Sequence, residues 1–176
     1  MKTKLILFDI DGTMIYTHGI PRKAMRKVLN NRYPNFRYDD NFNFSGRTDW
    51  EIIEHLLRFD EKEHTPDIIH KLLDEFSIEL EQALKNGKKP FIYPGIEELL
   101  KQLNVFENVY LGLVTGNIEK GAQIKLDAAG LSQYFPIGGY GNDSKYRNDL
   151  APLAMERAQE HYGIYTEKEH TWIIGD

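Results

Sequence analysis

Leu5-Ile6-Leu7-Phe8-Asp9-Ile10-Asp11-Gly12-Thr13 begins with four consecutive apolar residues and then carries two carboxylates one residue apart. An apolar run this short predicts a strand buried on both faces, as in a parallel sheet covered by helices. Residues i and i+2 of an extended chain project the same way, so Asp9 and Asp11 would point together. Carboxylates that close repel, and one must take up a proton or share a cation. Two blander readings stand beside this one. Asp11-Gly12 also suits a hairpin turn, with Met14-Ile15-Tyr16 as the return strand. A calcium loop is the other, although Thr13 would then stand where a third acidic ligand belongs.

Outward from this stretch, the same pattern recurs twice. Val109-Tyr110-Leu111-Gly112-Leu113-Val114 is a second buried-strand candidate that runs into Thr115-Gly116-Asn117, and Thr171-Trp172-Ile173-Ile174 is a third that stops at Gly175-Asp176. Ile137 to Tyr140 reads as a weaker strand because of its glycines. Amphipathic helices are expected over 96–103, 118–129 with a stop at Gly130, and from Leu150 to Tyr162. The region from about 20 to 87 has helical spacing only: Pro21–Asn31, a helix capped by Thr48 and Glu51, and a long one begun by Thr65-Pro66. Strands alternate with helices outside that region, which points to an α/β fold with a parallel sheet and a helical insertion. Three strands ending in polar residues matter, because ligands of open α/β sheets bind beyond the carboxyl ends of the strands.

The bulk composition narrows the function classes. A chain of 176 residues suits one domain, or a core with a compact insertion. Its net charge of −5 argues against non-specific nucleic-acid or anionic-membrane binding, which need a basic field. With no cysteine, disulfides, thiolate metal sites and cysteine nucleophiles drop out together. The six histidines show no close pair of the kind zinc sites use. No stretch reaches the length of a membrane span, and the apolar run behind Lys4 is too short for a secretory signal. A cytoplasmic protein is the expectation.

With those residues in view, the chain resembles the haloacid dehalogenase-like superfamily, in its phosphoglycolate-phosphatase-like branch with a helical cap. Asp9 to Thr13 matches the family's Asp-x-Asp-Gly-Thr motif, Thr115 its strand-end Thr or Ser, and Gly175-Asp176 its fourth motif. Tyr93-Pro94-Gly95 matches the return from the cap. A third motif supplies a Lys or Arg ahead of a helix; Lys145 and Arg147 both qualify, and Arg147, just before the Leu-x-Pro helix start, is preferred. The resemblance implies a Rossmann-like core of residues 1–17 and 91–176 and a helical cap of 18–90. The family usually continues with another acidic residue and more sheet, so the C-terminal part of the core is expected to be missing.

The resemblance further implies a phosphatase in which Asp9 attacks a small phosphate monoester and Asp11 acts as general acid and base. Mg²⁺ would be held by Asp9, Asp176 and the main-chain carbonyl of Asp11. Thr115, Gly116, Asn117 and Arg147 would bind phosphate oxygens, and Arg147 would also neutralise Asp9. The partner is a small phosphorylated metabolite, with neither nucleic acid nor membrane involved and the oligomeric state open. A sugar phosphomutase would use the same residues, and a non-catalytic binding module on a relic core is the rival from another class. Bland uses exist for each residue: Thr115-Gly116-Asn117 as a strand-to-helix turn with an N-cap, Arg47 as a surface ion pair.

Overall fold

The computed structural model describes residues 2–175. Four strands form a parallel sheet: β1 (Lys4–Phe8), β4 (Val109–Val114), β5 (Gly138–Gly139) and β6 (Thr171–Ile174), in the order β5-β4-β1-β6. Among the described residues six α-helices accompany the strands: α1 (Ile20–Arg32), α2 (Asp49–Phe59), α3 (Pro66–Asn86), α4 (Ile96–Leu103), α5 (Glu119–Ala129) and α6 (Leu150–Tyr162). The arrangement is the α/β, Rossmann-like one expected, with β1 at its centre.

Alternation along β1 builds the two faces of the sheet. Leu5 and Leu7 point into a cluster with Val114, Ile137, Leu150 and Ala154 under α6. Phe8, with Ile6 packed at its edge, belongs to the opposite cluster, which α4 and α5 close with Leu100, Ala122 and Leu126. Burying side chains of this size is worth roughly 1.5–3 kcal/mol each. Both faces being covered is why the run Leu5–Phe8 shows no polar position.

The register brings the strand ends level. Phe8 stands beside Leu113 on one flank and Ile174 on the other, and Leu113 stands beside Gly138. The residues that follow β1, β4 and β6 therefore emerge along one edge of the sheet. Gly175 packs on Asp9 there: a methyl group added at Gly175 would meet the Asp9 Cβ at 3.6 Å. Asp176 lies outside the described residues.

After Asp11 the chain does not return along β1. Gly12 takes a left-handed φ of 82°, both Met14 and Ile15 N–H donate to the Ile10 carbonyl, and Ile15–Tyr16 (β2) pairs antiparallel with Phe91–Ile92 (β3). Asp11-Gly12 thus makes the tight turn of a hairpin, but the strand after it pairs with Phe91–Ile92 and not with β1. Through this ribbon the chain passes to α1, α2 and α3 and comes back. Those helices bury their own cluster, centred on Leu29, Ile53, Leu57, Leu72 and Phe76. Thr48 Oγ1 accepts the Glu51 N–H at 3.1 Å, as the capping reading of α2 requires, but the Glu51 carboxylate turns to Arg47 instead. The weak strand expected over Ile137–Tyr140 shortens to Gly138–Gly139.

Candidate active site

Asp9 is buried at the end of β1, its Oδ1 accepting the Ile10 N–H at 2.7 Å and its Oδ2 paired with the Arg147 guanidinium. Asp9 follows the parity of Leu5 and Leu7, so it faces the α6 side, and Arg147 lies in the turn immediately before α6. Lys145 goes elsewhere: its Nζ is 3.7 Å from Glu54 and its carbonyl accepts the Thr48 hydroxyl at 3.2 Å. Of the two third-motif candidates, the fold brings Arg147 to the carboxylates.

Asp11 sits two residues further on with a different set of partners. Its Oδ2 accepts from Lys125 Nζ at 2.5 Å and Asn117 Nδ2 at 2.9 Å, while Oδ1 has only the Thr17 hydroxyl at 3.4 Å. Burial pushes this carboxyl up, but the Lys125 charge and the three hydrogen bonds outweigh it and hold the pKa below its ordinary value. Asn117 Nδ2 also donates to Thr115 Oγ1 at 2.7 Å, and Asn117 Oδ1 accepts from Lys125 at 2.5 Å. Thr115 is fully buried at the end of β4. The structure thus gathers Asp9, Asp11, Thr115, Asn117 and Arg147 at one end of the sheet. The N-cap reading of Thr115-Gly116-Asn117 does not describe them, because α5 begins two residues later and Asp49 Oδ2 accepts the Ile118 N–H at 2.9 Å.

Lys125 and Asp49 join the site although neither belongs to any of the sequence motifs. Lys125 occupies the buried stripe of α5 with Gly121, Ala122 and Leu126. Asp49, the first residue of α2, reaches across from the helical region: its N–H donates to the Gly116 carbonyl at 2.8 Å as well. Burial pushes the Asp49 carboxyl up to about 6, although the Lys125 charge and the Ile118 N–H pull the other way. An acid with a raised folded-state pKa destabilises the fold progressively from about pH 4 upward, with the loss complete above the folded value. Asp49→Asn keeps an acceptor for Ile118 without the charge. It should therefore melt several degrees above the parent at pH 8, about 2 kcal/mol, and show no advantage at pH 4. Thermal melts of the two proteins across that range check this.

Above the carboxylates lies a cleft of about 420 Å³ whose far wall is made by Arg22, Met25, Phe42, Phe44 and Arg47. Four cations (Arg22, Arg47, Lys125 and Arg147) and three carboxylates (Asp9, Asp11 and Asp49) line it. Arg147, Lys125 and Arg47 each face an acid, and among the described residues Arg22 has no such partner; it lies over the Phe44 ring at 4.9 Å. A phosphate dianion placed beside Asp9 therefore meets little spare positive charge. Hard oxygens stand at this strand end, the Asp9 carboxylate and the Asp11 main-chain carbonyl, to which no main-chain N–H donates among the described residues. That donor set fits a divalent cation of the magnesium type.

A sequence profile described as haloacid dehalogenase-like hydrolase matches residues 6–176. The chain belongs to that family. The family assignment makes the chain an enzyme of the hydrolase class. It is 24% identical over 177 residues to the pyrophosphatase PpaX of Oceanobacillus iheyensis, covering all of this chain and 76% of that one. Among solved structures it resembles CbbY from Rhodobacter sphaeroides in complex with phosphate, at a TM-score of 0.77 and 18% identity, over 97% of this chain and 76% of that one. A phosphoglycolate phosphatase predicted from Haemophilus somnus matches at a TM-score of 0.66 and 22% identity, over 100% and 78% of the two chains. No helix among the described residues is long and apolar enough to cross a membrane.

Proposed function

We propose that the chain is a Mg²⁺-dependent phosphatase of small phosphate monoesters, acting through an aspartyl-phosphate on Asp9. The observation that carries this reading is the division of labour between the two acids: Asp9 is buried against Arg147, and Asp11 stands beside it at the cleft floor with one oxygen nearly free. Asp9 and the Asp11 carbonyl would hold the metal ion together with Asp176. When bound, the ion supplies the positive charge that lets a dianion approach an ionised carboxylate.

Asp9 Oδ attacks phosphorus as the bond from phosphorus to the leaving oxygen breaks, and Asp11, which must first take up a proton from solvent against the Lys125 charge, passes it to that oxygen. Water, deprotonated by Asp11, then attacks the aspartyl-phosphate and releases inorganic phosphate and Asp9. Arg147 and the Thr115 hydroxyl oppose the charge on the phosphoryl oxygens, with Gly116 and Asn117 shaping the loop around them. Residues 1–17 and 91–176 act as the catalytic part. Residues 18–90 form the cap that excludes water and selects the leaving group.

Phosphate release from a panel of monoesters, with and without Mg²⁺, tests the reading. Metal-dependent release that disappears in Asp9→Asn supports it; no release, or release that survives the substitution, overturns it. Transfer of the phosphoryl group to a sugar phosphate rather than to water would identify a phosphomutase instead.

The relative CbbY has also been crystallised with xylulose-(1,5)bisphosphate. Arg22, which faces no acid among the described residues, would favour a leaving group that carries its own anion. Arg22→Ala should raise KM for a bisphosphate or phosphorylated acid about three- to tenfold and leave kcat nearly unchanged, the pattern of lost uniform binding. Steady-state kinetics on a bisphosphate and on a neutral-tailed ester distinguish the two cases.

A further inference from the structure

α5 buries one face in the core, and that face should be apolar throughout. Instead Lys125 takes a place on it, with its side chain only 3% exposed. A buried ammonium must find several partners. Lys125 finds two oxygens at 2.5 Å, Oδ2 of Asp11 and Oδ1 of Asn117. Asn117 then uses its amide nitrogen on the same Asp11 oxygen and on Thr115 Oγ1. One cation thus ties the loop after β1 to the loop after β4, and all the strong contacts of Asp11 fall on a single oxygen.

From this geometry we infer that Lys125 is a positioning residue: it pins Asp11 Oδ2 and so presents Oδ1 to the leaving oxygen of the substrate. The inference rests on the phosphatase reading above and adds a residue to it. The argument is one of orientation. A carboxylate anchored at one oxygen cannot rotate its other oxygen out of line, and misplacement of a proton donor by about 1 Å can cost 100-fold in rate. Arg147 does not share this role, since it contacts the other carboxylate.

A positioning role through Asp11 has a signature that a merely structural role lacks. Departure of an alkoxide needs the Asp11 proton, whereas p-nitrophenolate leaves without one. The experiment compares kcat/KM, which reports the first phosphoryl transfer, for glycerol phosphate and p-nitrophenyl phosphate in the parent, Lys125→Met, Asp11→Asn and the double variant. Lys125→Met should lose about 10- to 100-fold on glycerol phosphate and less than about threefold on p-nitrophenyl phosphate. In the Asp11→Asn background it should cost almost nothing further, because its effect runs through that carboxylate.

Equal losses on both substrates, or losses that add in full to Asp11→Asn, overturn the proposal while leaving the phosphatase reading intact. Failure of the parent to release phosphate from either substrate, or release unaffected by Asp9→Asn, overturns the reading and this inference with it. Lys125→Gln, shorter by one bond and unable to span both oxygens, serves if Lys125→Met does not fold. It should show the same leaving-group bias, and an unbiased loss counts against the proposal.

Discussion

Asp9→Asn should reduce phosphate release by at least about a thousandfold with every substrate, good or poor leaving group alike. The amide is a far weaker nucleophile, and under the proposed covalent mechanism its introduction costs on this scale or more, because no other residue is assigned to form the intermediate. The loss should not come from unfolding. Asp9 is paired with Arg147, whose side chain is 34% exposed and can turn to water when its partner becomes neutral. The amide oxygen can still accept the Ile10 N–H while its NH₂ group leaves Arg147 to water, so a melting temperature within a few degrees of the parent is expected. Colorimetric phosphate release and a thermal melt on the same preparation separate the two effects. A folded variant with substantial turnover would mean that water is activated directly, without a covalent intermediate. Asp11→Asn differs in kind: it should spare p-nitrophenyl phosphate much more than alkyl esters, since only the latter need a proton on departure.

How much of this was legible in the residues depends on where the physics was local. The strands Leu5–Phe8, Val109–Val114 and Thr171–Ile174 were readable because burial on both faces leaves unbroken apolar runs. Asp9 and Asp11 stood out because two acids at the end of such a run have no structural excuse. Arg147 could be preferred but not separated from Lys145 by local pattern, since both precede the same helix; only the path of the chain into α6 decides which one reaches Asp9. Lys125 left a fainter signal. It lies three residues from Ala122 and next to Leu126, inside the stripe that defines the helix, and a charged residue there asks for a buried partner. Its partners are more than a hundred residues away for Asp11 and eight for Asn117, so no window shows the constellation. Asp49 is harder still. As the first residue of α2 it has an ordinary role near a helix N-terminus, and its docking on Gly116 and Ile118 exists only once α2 meets the strand end.

That docking leads to the second large expected effect. Gly116→Ala should destabilise the protein by about 2–3 kcal/mol, lowering its melting temperature by roughly 5–10 °C, and should raise KM as well. A methyl group at Gly116 would lie 2.1 Å from the Arg47 carbonyl oxygen, 2.9 Å from its carbon and 3.2 Å from the Thr48 Cα. All three are backbone atoms, so no rotamer change relieves the clash, and the segment 47–49 must retreat by about 1 Å. Retreat strains the bonds that seat α2: Asp49 N–H to Gly116, the Ile118 N–H to Asp49, and the Thr48 hydroxyl to Lys145. Movement the other way is blocked, because the Gly116 carbonyl already lies where a methyl group on Gly141 would be, at 2.1 Å. Three backbones are therefore stacked in contact, with glycine at the two positions where a side chain would separate them. Gly121→Ala is the matched control. Its added methyl group meets side chains alone, tightly only at the Ile118 Cγ1 (3.3 Å) and in ordinary contact with the Leu80 Cδ2 (3.7 Å) and Asp49 Oδ2 (3.9 Å), and alanine suits a helix interior better than glycine. Loss of stability and rise of KM in Gly116→Ala, with neither in Gly121→Ala, would tie substrate binding to the close approach of residues 47–49 to the phosphate loop. Unchanged KM in a destabilised Gly116→Ala would instead mean that substrate enters and is held with this contact open.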